Sequence, residues 1–356
     1  MARRSHDYAT PVRRILVALL VLVLFGMFLF WRIDSPRAER MRAAFVDRFV
    51  PSLNWAMAPV TAVAKFPESA GDPTLAAPGD EAHEITGVVL GLSIRGVTEP
   101  TRADIDQVMA AHANAATLAI DAGFDAVEVH LGHNYFASSF LSPLINKRRD
   151  EFGGSLYNRA KVARGTVAAV REAVGNQIAV IAKLTMTDGV RGGIPLEESL
   201  QTAQWLQEDG NLDALELTAG SSLVNPMYLF RGDAPVKEFA ANFKPPLRWG
   251  IRMSGHRFFR EYPYREAFLL EQARQFRAEL SMPLILLGGI TNRETMDLAM
   301  AEGFEFVAMG RALLAEPDLL GRIQADKTVK SGCTHCNLCM PTIYTRTHCV
   351  VTGKPY

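Results

Sequence analysis

"FDAVEVHLGHNYFASSFLSPLINKRRDEFGGSLYNRAKVARGTVAAVREAVGNQIAVIAKLT", residues 124–185, decides the fold. It opens on "FDAVEVH", a short apolar run with the length of a strand. A polar stretch dense in His, Asn, Arg and Gly follows. "YNRAKVARGTVAAVREAVG" then spaces its apolar residues as a helix does, and "QIAVIAKLT" is a second apolar strand. Two strands joined through a helix run parallel, because a parallel pair needs a long crossover.

The same alternation extends in both directions. Upstream, "EPTRADIDQVMAAHANAATLAIDAG" reads as a helix capped by Thr98 or Thr101. Downstream come the helix "PLEESLQTAQWLQEDG", the strand "LDALELTAG" and a long insertion from Ser221 to about Pro263. The helix "YREAFLLEQARQFRAEL", the strand "MPLILLGG", the helix "NRETMDLAMAEG", the strand "FEFVAMGR" and the helix "EPDLLGRIQA" complete the series. Strands are expected at 125–129, 178–184, 213–218, 283–287 and 304–309, with "ITGVVLGLS" at 85–93 a weaker sixth. Each reads as a buried run, which suggests parallel strands covered on both faces. No glycine-rich G-x-G-x-x-G loop follows the first strand, which argues against a doubly wound dinucleotide fold. The expected fold is therefore α/β, a (β/α)8 TIM barrel short of strands on its N-terminal side, with its functional groups at the C-terminal ends of the strands.

The 356 residues carry 38 basic and 38 acidic side chains, so no net charge draws the protein to nucleic acid. The segment Ile15–Trp31, "ILVALLVLVLFGMFLFW", has no charged side chain and as a helix would span about 25 Å. A core helix and a cleaved signal peptide are the rival readings; a retained transmembrane anchor is preferred. Arginines flank it evenly, Arg3, Arg4, Arg13 and Arg14 before and Arg32, Arg37, Arg40 and Arg42 after, so charge does not fix its orientation. The expected organisation is a tail and anchor over 1–33, a linker over 34–82, a barrel over 83–330 and a cysteine-rich segment over 331–356.

The strand ends hold His130 and His133, Lys183, Thr218, Gly288 and Gly289, and Gly310 with Arg311. "LLGGIT" and "VAMGRALL" each run strand, glycine turn, helix. Such turns let backbone N–H groups surround phosphate oxygens, though glycine also serves any short turn. Lys183 ends an apolar strand and needs a partner, either a bound anionic ring or a carboxylate such as Glu128 or Glu216. His130 and His133 suit an anionic or carbonyl oxygen with Tyr135 as proton donor; a metal site and ordinary structural histidines are the alternatives. All four cysteines, Cys333, Cys336, Cys339 and Cys349, fall in "CTHCNLCMPTIYTRTHC". That spacing leaves an iron–sulfur cluster, a zinc ion and free thiols open.

"AGFDAVEVHLGHNYFASSFLSPLINKRRDEFGGSLYNRA", "LLGGIT" and "FVAMGRALLAEPDLLGRI" together resemble the old yellow enzyme family of NADH:flavin oxidoreductases, in particular its 2,4-dienoyl-CoA reductase-like branch. The resemblance covers roughly residues 90 to 350. It implies a barrel with non-covalent FMN and NAD(P)H as hydride donor. It implies His130 and His133 on the acceptor's carbonyl oxygen, Tyr135 in proton delivery, and Lys183 in place of a flavin-contacting arginine. It assigns Gly288, Gly289, Gly310 and Arg311 to the FMN phosphate, and Asp150 and Arg159 to tying the loop down. The branch carries a [4Fe–4S] cluster on a C-x2-C-x3-C-x11-C pattern, where this chain has the shorter C-x2-C-x2-C-x9-C. The family's opening strands find no counterpart.

The expected activity is reduction of a small molecule with a conjugated carbonyl or similar group, by a single-pass membrane protein with its catalytic domain in the cytoplasm. The alternative is a truncated, flavin-poor barrel serving as a structural or interaction module. Assembly with like copies is left open.

Overall fold

The computed structural model describes residues 99–353. Five strands form one parallel sheet in strict chain order: β1 Ala126–Leu131, β2 Ala179–Thr185, β3 Ala214–Thr218, β4 Leu284–Leu287 and β5 Phe306–Ala308. The helix α1, Arg102–Asp121, precedes β1. The short helix α2, Phe136–Ser139, and then α3, Leu156–Val174, join β1 to β2; α4, Leu196–Glu208, joins β2 to β3. The segment between β3 and β4 holds the insertion helices α5, Val236–Ala241, and α6, Leu247–Ser254, before α7, Leu270–Glu279. The helix α8, Arg293–Ala301, connects β4 to β5, and α9, Arg311–Ala315, and α10, Leu319–Ala325, follow. Sequential order with a helix at every crossover is barrel winding. The five expected strands are all present; the weaker sixth at 85–93 lies outside the described residues.

Local signals set the helix ends. Thr101 caps α1 reciprocally: its hydroxyl accepts from the Asp104 N–H, and the Asp104 carboxylate accepts from the Thr101 N–H at 2.7 Å. Ser155 caps α3 through the Asn158 N–H, and Asn292 caps α8 through the Thr295 N–H.

The two faces of the sheet differ. Val127, Val129, Leu131, Val180, Ala182, Leu184, Leu215, Leu217, Leu284 and Leu286 are buried in the main core with the helices. Each such Val or Leu contributes about 1.5–3 kcal/mol by leaving water. The other face carries Glu128 and His130 from β1, Lys183 and Thr185 from β2, and Glu216 and Thr218 from β3. In β1 and most of β2 these positions are only half-buried, while β3 is buried throughout. The expectation of strands covered on both faces is thus corrected for β1 and β2. Their alternation separates a helix-covered apolar face from a polar inner one.

The placement in a membrane is also corrected. Among the described residues no helix is long and apolar enough to cross a bilayer. The longest, α1, carries charge at Arg102, Asp104, Asp106 and Asp121. Segment Ile15–Trp31 itself lies outside the described residues.

Candidate functional site

Register assembles the polar face. His130 lies opposite Lys183, and Lys183 opposite Glu216, so three strands present one row. Lys183 Nζ lies 2.7 Å from Glu128 Oε2 and 3.3 Å from Glu216 Oε1. The second contact is ionic without hydrogen-bond alignment, and Glu216 Oε1 is otherwise without a hydrogen-bond partner. Burial opposes the Lys183 charge, but Glu216 and Glu128 more than offset it and hold the ammonium above its ordinary value. Glu216 is pushed up to about 8 by burial, with Glu128 adding to the rise and Lys183 opposing it. The carboxylate reading of the Lys183 partner is therefore observed, and it uses both candidate glutamates.

Past the end of β1 the chain turns left-handed at His133 and Asn134, with φ near 60°. This returns the His133 ring over the neighbouring strand ends. The His133 N–H donates to Thr185 Oγ1 at 2.8 Å, and His133 Nε2 lies 2.9 Å from Thr218 Oγ1. The Gly132 N–H donates to His130 Nδ1 at 3.2 Å, which places the His130 proton on Nε2. That Nε2 faces His133 Nδ1 at 3.2 Å. The protons then run in one direction, from His130 to His133 to Thr218. Burial lowers both histidines: His130 falls well below the ordinary imidazole value, and His133 to about 3, with Lys183 adding to each. Both are neutral near pH 7. The Tyr135 ring lies 4.9 Å from the His130 ring. Burial raises that phenol, so it holds its proton.

Gly288 and Gly289 adopt φ of 107° and 78°. A Cβ on Gly289 would approach Arg265 O within 2.8 Å, so this turn is crowded by the chain itself. The Gly289 carbonyl accepts from the Ala267 N–H at 2.9 Å. Around Gly310, by contrast, nothing lies within 4 Å of where a Cβ would stand. Arg311 does not reach free space. Its Nη1 donates to the Arg231 carbonyl at 3.0 Å and to Asn337 Oδ1. Burial lowers it below the ordinary guanidinium value.

The insertion connects to the histidines. Ser221 bridges to His133 and to Asn225, and the Ser222 N–H donates to the His133 carbonyl at 3.0 Å. Tyr262 donates to Asn225 Oδ1 at 3.1 Å. Asn337, from the cysteine-rich segment, donates to the Phe230 carbonyl and, at 2.9 Å, to that of Asp233.

Cys333, Cys336, Cys339 and Cys349 line one pocket with Arg311. Among the described residues, however, no three His, Cys, Asp or Glu side chains converge to hold a metal ion. Burial raises the thiols of Cys333 and Cys339, Cys339 to about 11, whereas at Cys349 burial is outweighed by bonds to Thr352 and Val351, which lower it. The expected metal site at these cysteines is therefore not supported, and with it the [4Fe–4S] cluster. The segment is held instead by its other residues: Asn337 on the insertion, and His335 stacked on Tyr264.

Sequence reasoning missed Asp188. It is fully buried, accepting from Ser142 Oγ at 2.6 Å, the Ile194 N–H at 2.9 Å and Asn134 Nδ2 at 3.3 Å. Burial raises its carboxyl despite these donors. Its place in "MTDGVRGG" carries a turn signal and nothing that announces burial.

A sequential parallel β/α sheet with a polar row and a histidine pair at the strand ends has the architecture of a β/α barrel with its functional groups at the C-terminal strand ends. Solved structures share that fold. A 2-naphthoyl-CoA reductase complex aligns with TM-score 0.58 and 24% identity, over 72% of this chain and 35% of that one. Histamine dehydrogenase from Rhizobium sp. 4-9 aligns with TM-score 0.52 and 22% identity, over 66% and 30%. The family model described as NADH:flavin oxidoreductase / NADH oxidase matches residues 70–221. A 4,4'-dithiodibutanoate disulfide reductase of Rhodococcus erythropolis is 53% identical over 70% of this chain and 62% of its own length. An NADH oxidase of Thermoanaerobacter brockii is 27% identical over 67% and 32%. The chain resembles the NADH:flavin oxidoreductase family over the matched residues, and these relatives carry the names of oxidoreductases. It spans less than two thirds of the length of these relatives.

Proposed function

We propose that the chain is an FMN-dependent NAD(P)H oxidoreductase that reduces an electron-poor small molecule at the C-terminal ends of β1 to β3. The observation that carries this is the single row of His130, Lys183 and Glu216, half-buried at His130 and Lys183 and buried at Glu216, beside a histidine pair anchored to Thr185 and Thr218. The residues fit a flavin. The inner face offers a cation with a partly unbonded carboxylate beside it, and the Gly310 backbone faces open space. When bound, FMN supplies hydride acceptance from the nicotinamide and hydride donation to the acceptor.

Lys183 would hold the ring's electron-rich edge, with Glu128 and Glu216 fixing its position. The backbone at Gly288, Gly289 and Gly310 would take the phosphate. Arg311 would add charge from behind, since its guanidinium is tied to the insertion. His130 and His133 would orient the acceptor's oxygen as neutral donors. The His130 proton is directed at His133 in this arrangement, so one ring must turn before both donate to one atom. Donors held about 3 Å from developing negative charge are a large source of rate. Tyr135 would deliver a proton when the acceptor is an activated alkene.

A second acceptor class is favoured by the 53% identity to a disulfide reductase. Two electrons and two protons convert a disulfide to two thiols, and the same histidines would receive the first thiolate.

Purified protein should carry FMN, released by heat and quantified, and its flavin absorbance should bleach with NAD(P)H. A cyclic enone and an aliphatic disulfide then compete to restore the colour, which ranks the two acceptor classes. Protein that binds no added FMN would overturn the proposal in favour of a non-catalytic barrel.

A further inference from the structure

Arg231 sits in a box of three aromatic rings. Its guanidinium carbon lies 4.9 Å from the Tyr228 ring centre, 5.0 Å from Phe268 and 5.9 Å from Tyr262. Its Nε is buried and has no hydrogen-bond partner. Among the described residues no carboxylate forms an ion pair with it, whereas the well-buried Arg148 and Arg159 and the partly buried Arg164 each find one. Aromatic faces offset part of the cost of desolvating a cation but accept no N–H in the guanidinium plane. A planar fork of donors with an unfilled edge suits a carboxylate, taken in bidentate fashion.

The box belongs to the acceptor side of the site. Tyr262 bonds Asn225, Asn225 is bridged to Ser221, and Ser221 is bridged to His133. Tyr228 packs over Gly189, beyond the end of β2. Phe268 packs on Gly289, at the turn after β4. Arg231 therefore overhangs the strand ends at which the acceptor is proposed to react, on an insertion that already touches the histidine pair.

We propose that Arg231 anchors a carboxylate on the electron acceptor and makes the site selective for anionic acceptors. This rests on the proposed oxidoreductase reading and adds the substrate's charge to it. An acceptor held by its carboxylate at the insertion leaves its reducible group free to reach the histidines.

The test uses FMN-loaded full-length protein and two probes, 4,4'-dithiodibutanoate and its dimethyl ester, titrated by calorimetry into wild type, Arg231→Gln and Arg231→Lys. A lost charge-assisted bond corresponds to about a 10- to 100-fold change in affinity. Wild type should prefer the diacid by about that factor, Arg231→Gln should lose the preference, and Arg231→Lys should keep part of it. Equal affinity of wild type for both probes, or binding of neither, overturns the proposal even where the variants do not fold. An Arg231→Gln loss that falls equally on diacid and diester makes the residue a packing element and also overturns it. So does a loss confined to FMN retention relative to riboflavin, or to NADPH relative to NADH, since the anion is then a cofactor phosphate. Flavin bleaching by NAD(P)H, read separately, decides the oxidoreductase reading. Its failure beside a retained diacid preference would sink that reading alone.

Discussion

Acid should destabilise this fold through His133, and the size of the effect follows from its surroundings. The ring is 7% exposed, bonded to Thr218 and His130, and has a folded pKa near 3 because burial, assisted by Lys183, disfavours its charge. Unfolded, it titrates near its ordinary 6.5. Between those values the unfolded chain binds the proton that the folded chain refuses, so stability rises with pH across that window and falls as pH drops through it. From pH 7 to pH 5 the loss from this one residue is about 2 kcal/mol, and it continues toward pH 3. His130 is lowered in the same direction and adds to the trend. Replacing His133 with Asn removes the titrating ring while keeping a residue that tolerates the left-handed backbone at φ 60°. Urea unfolding at pH 7 and pH 5 should show wild type losing about 2 kcal/mol more than the variant on acidification. Equal losses in the two proteins would refute the argument that His133 is held neutral by burial.

Lys183→Met should destabilise the protein by about 3–5 kcal/mol at neutral pH, because it leaves Glu128 and Glu216 facing each other without a cation. Denaturant midpoints of the two proteins at neutral pH measure the deficit. Gly232→Ala should lower the melting temperature, since a Cβ at this residue, whose φ is 126°, would lie 2.0 Å from the His335 carbonyl oxygen; about 1–3 kcal/mol is expected for such overpacking. Tyr135→Phe should slow turnover of an enone by about 100-fold or more if its phenol protonates carbon, while reduction of a disulfide should change far less. Single-turnover reoxidation with each acceptor separates the two cases.

The sequence by itself determined the order and nature of the elements. Period and length made "FDAVEVH" and "QIAVIAKLT" strands and the stretch between them a helix. Crossovers of that length permit only parallel pairing, so the sheet order β1 to β5 was implied by the chain. The strand-end residues His130, His133, Lys183 and Gly310 were legible because strand ends can be counted along a chain. What each side chain meets was decided only in three dimensions. Register placed Lys183 between Glu128 and Glu216, residues 55 and 33 positions away, and a local pattern carries no record of such a pairing. The half-open inner face of β1 and β2 looked like part of a buried run, because the apolar Ala126, Ala179 and Ile181 share it with Glu128, His130 and Lys183. The cysteine spacing suggested a metal, yet Asn337 is tied to the insertion, His335 stacks on Tyr264, and among the described residues no three ligands converge. In the sequence Arg231 stands with Tyr228 and Phe230 in the long insertion, where contact with substrate and a packed surface loop are equally open readings. Only folding surrounded it with Tyr228, Tyr262 and Phe268 and left it without a counter-charge, because desolvation is a property of neighbours in space and not of neighbours along the chain.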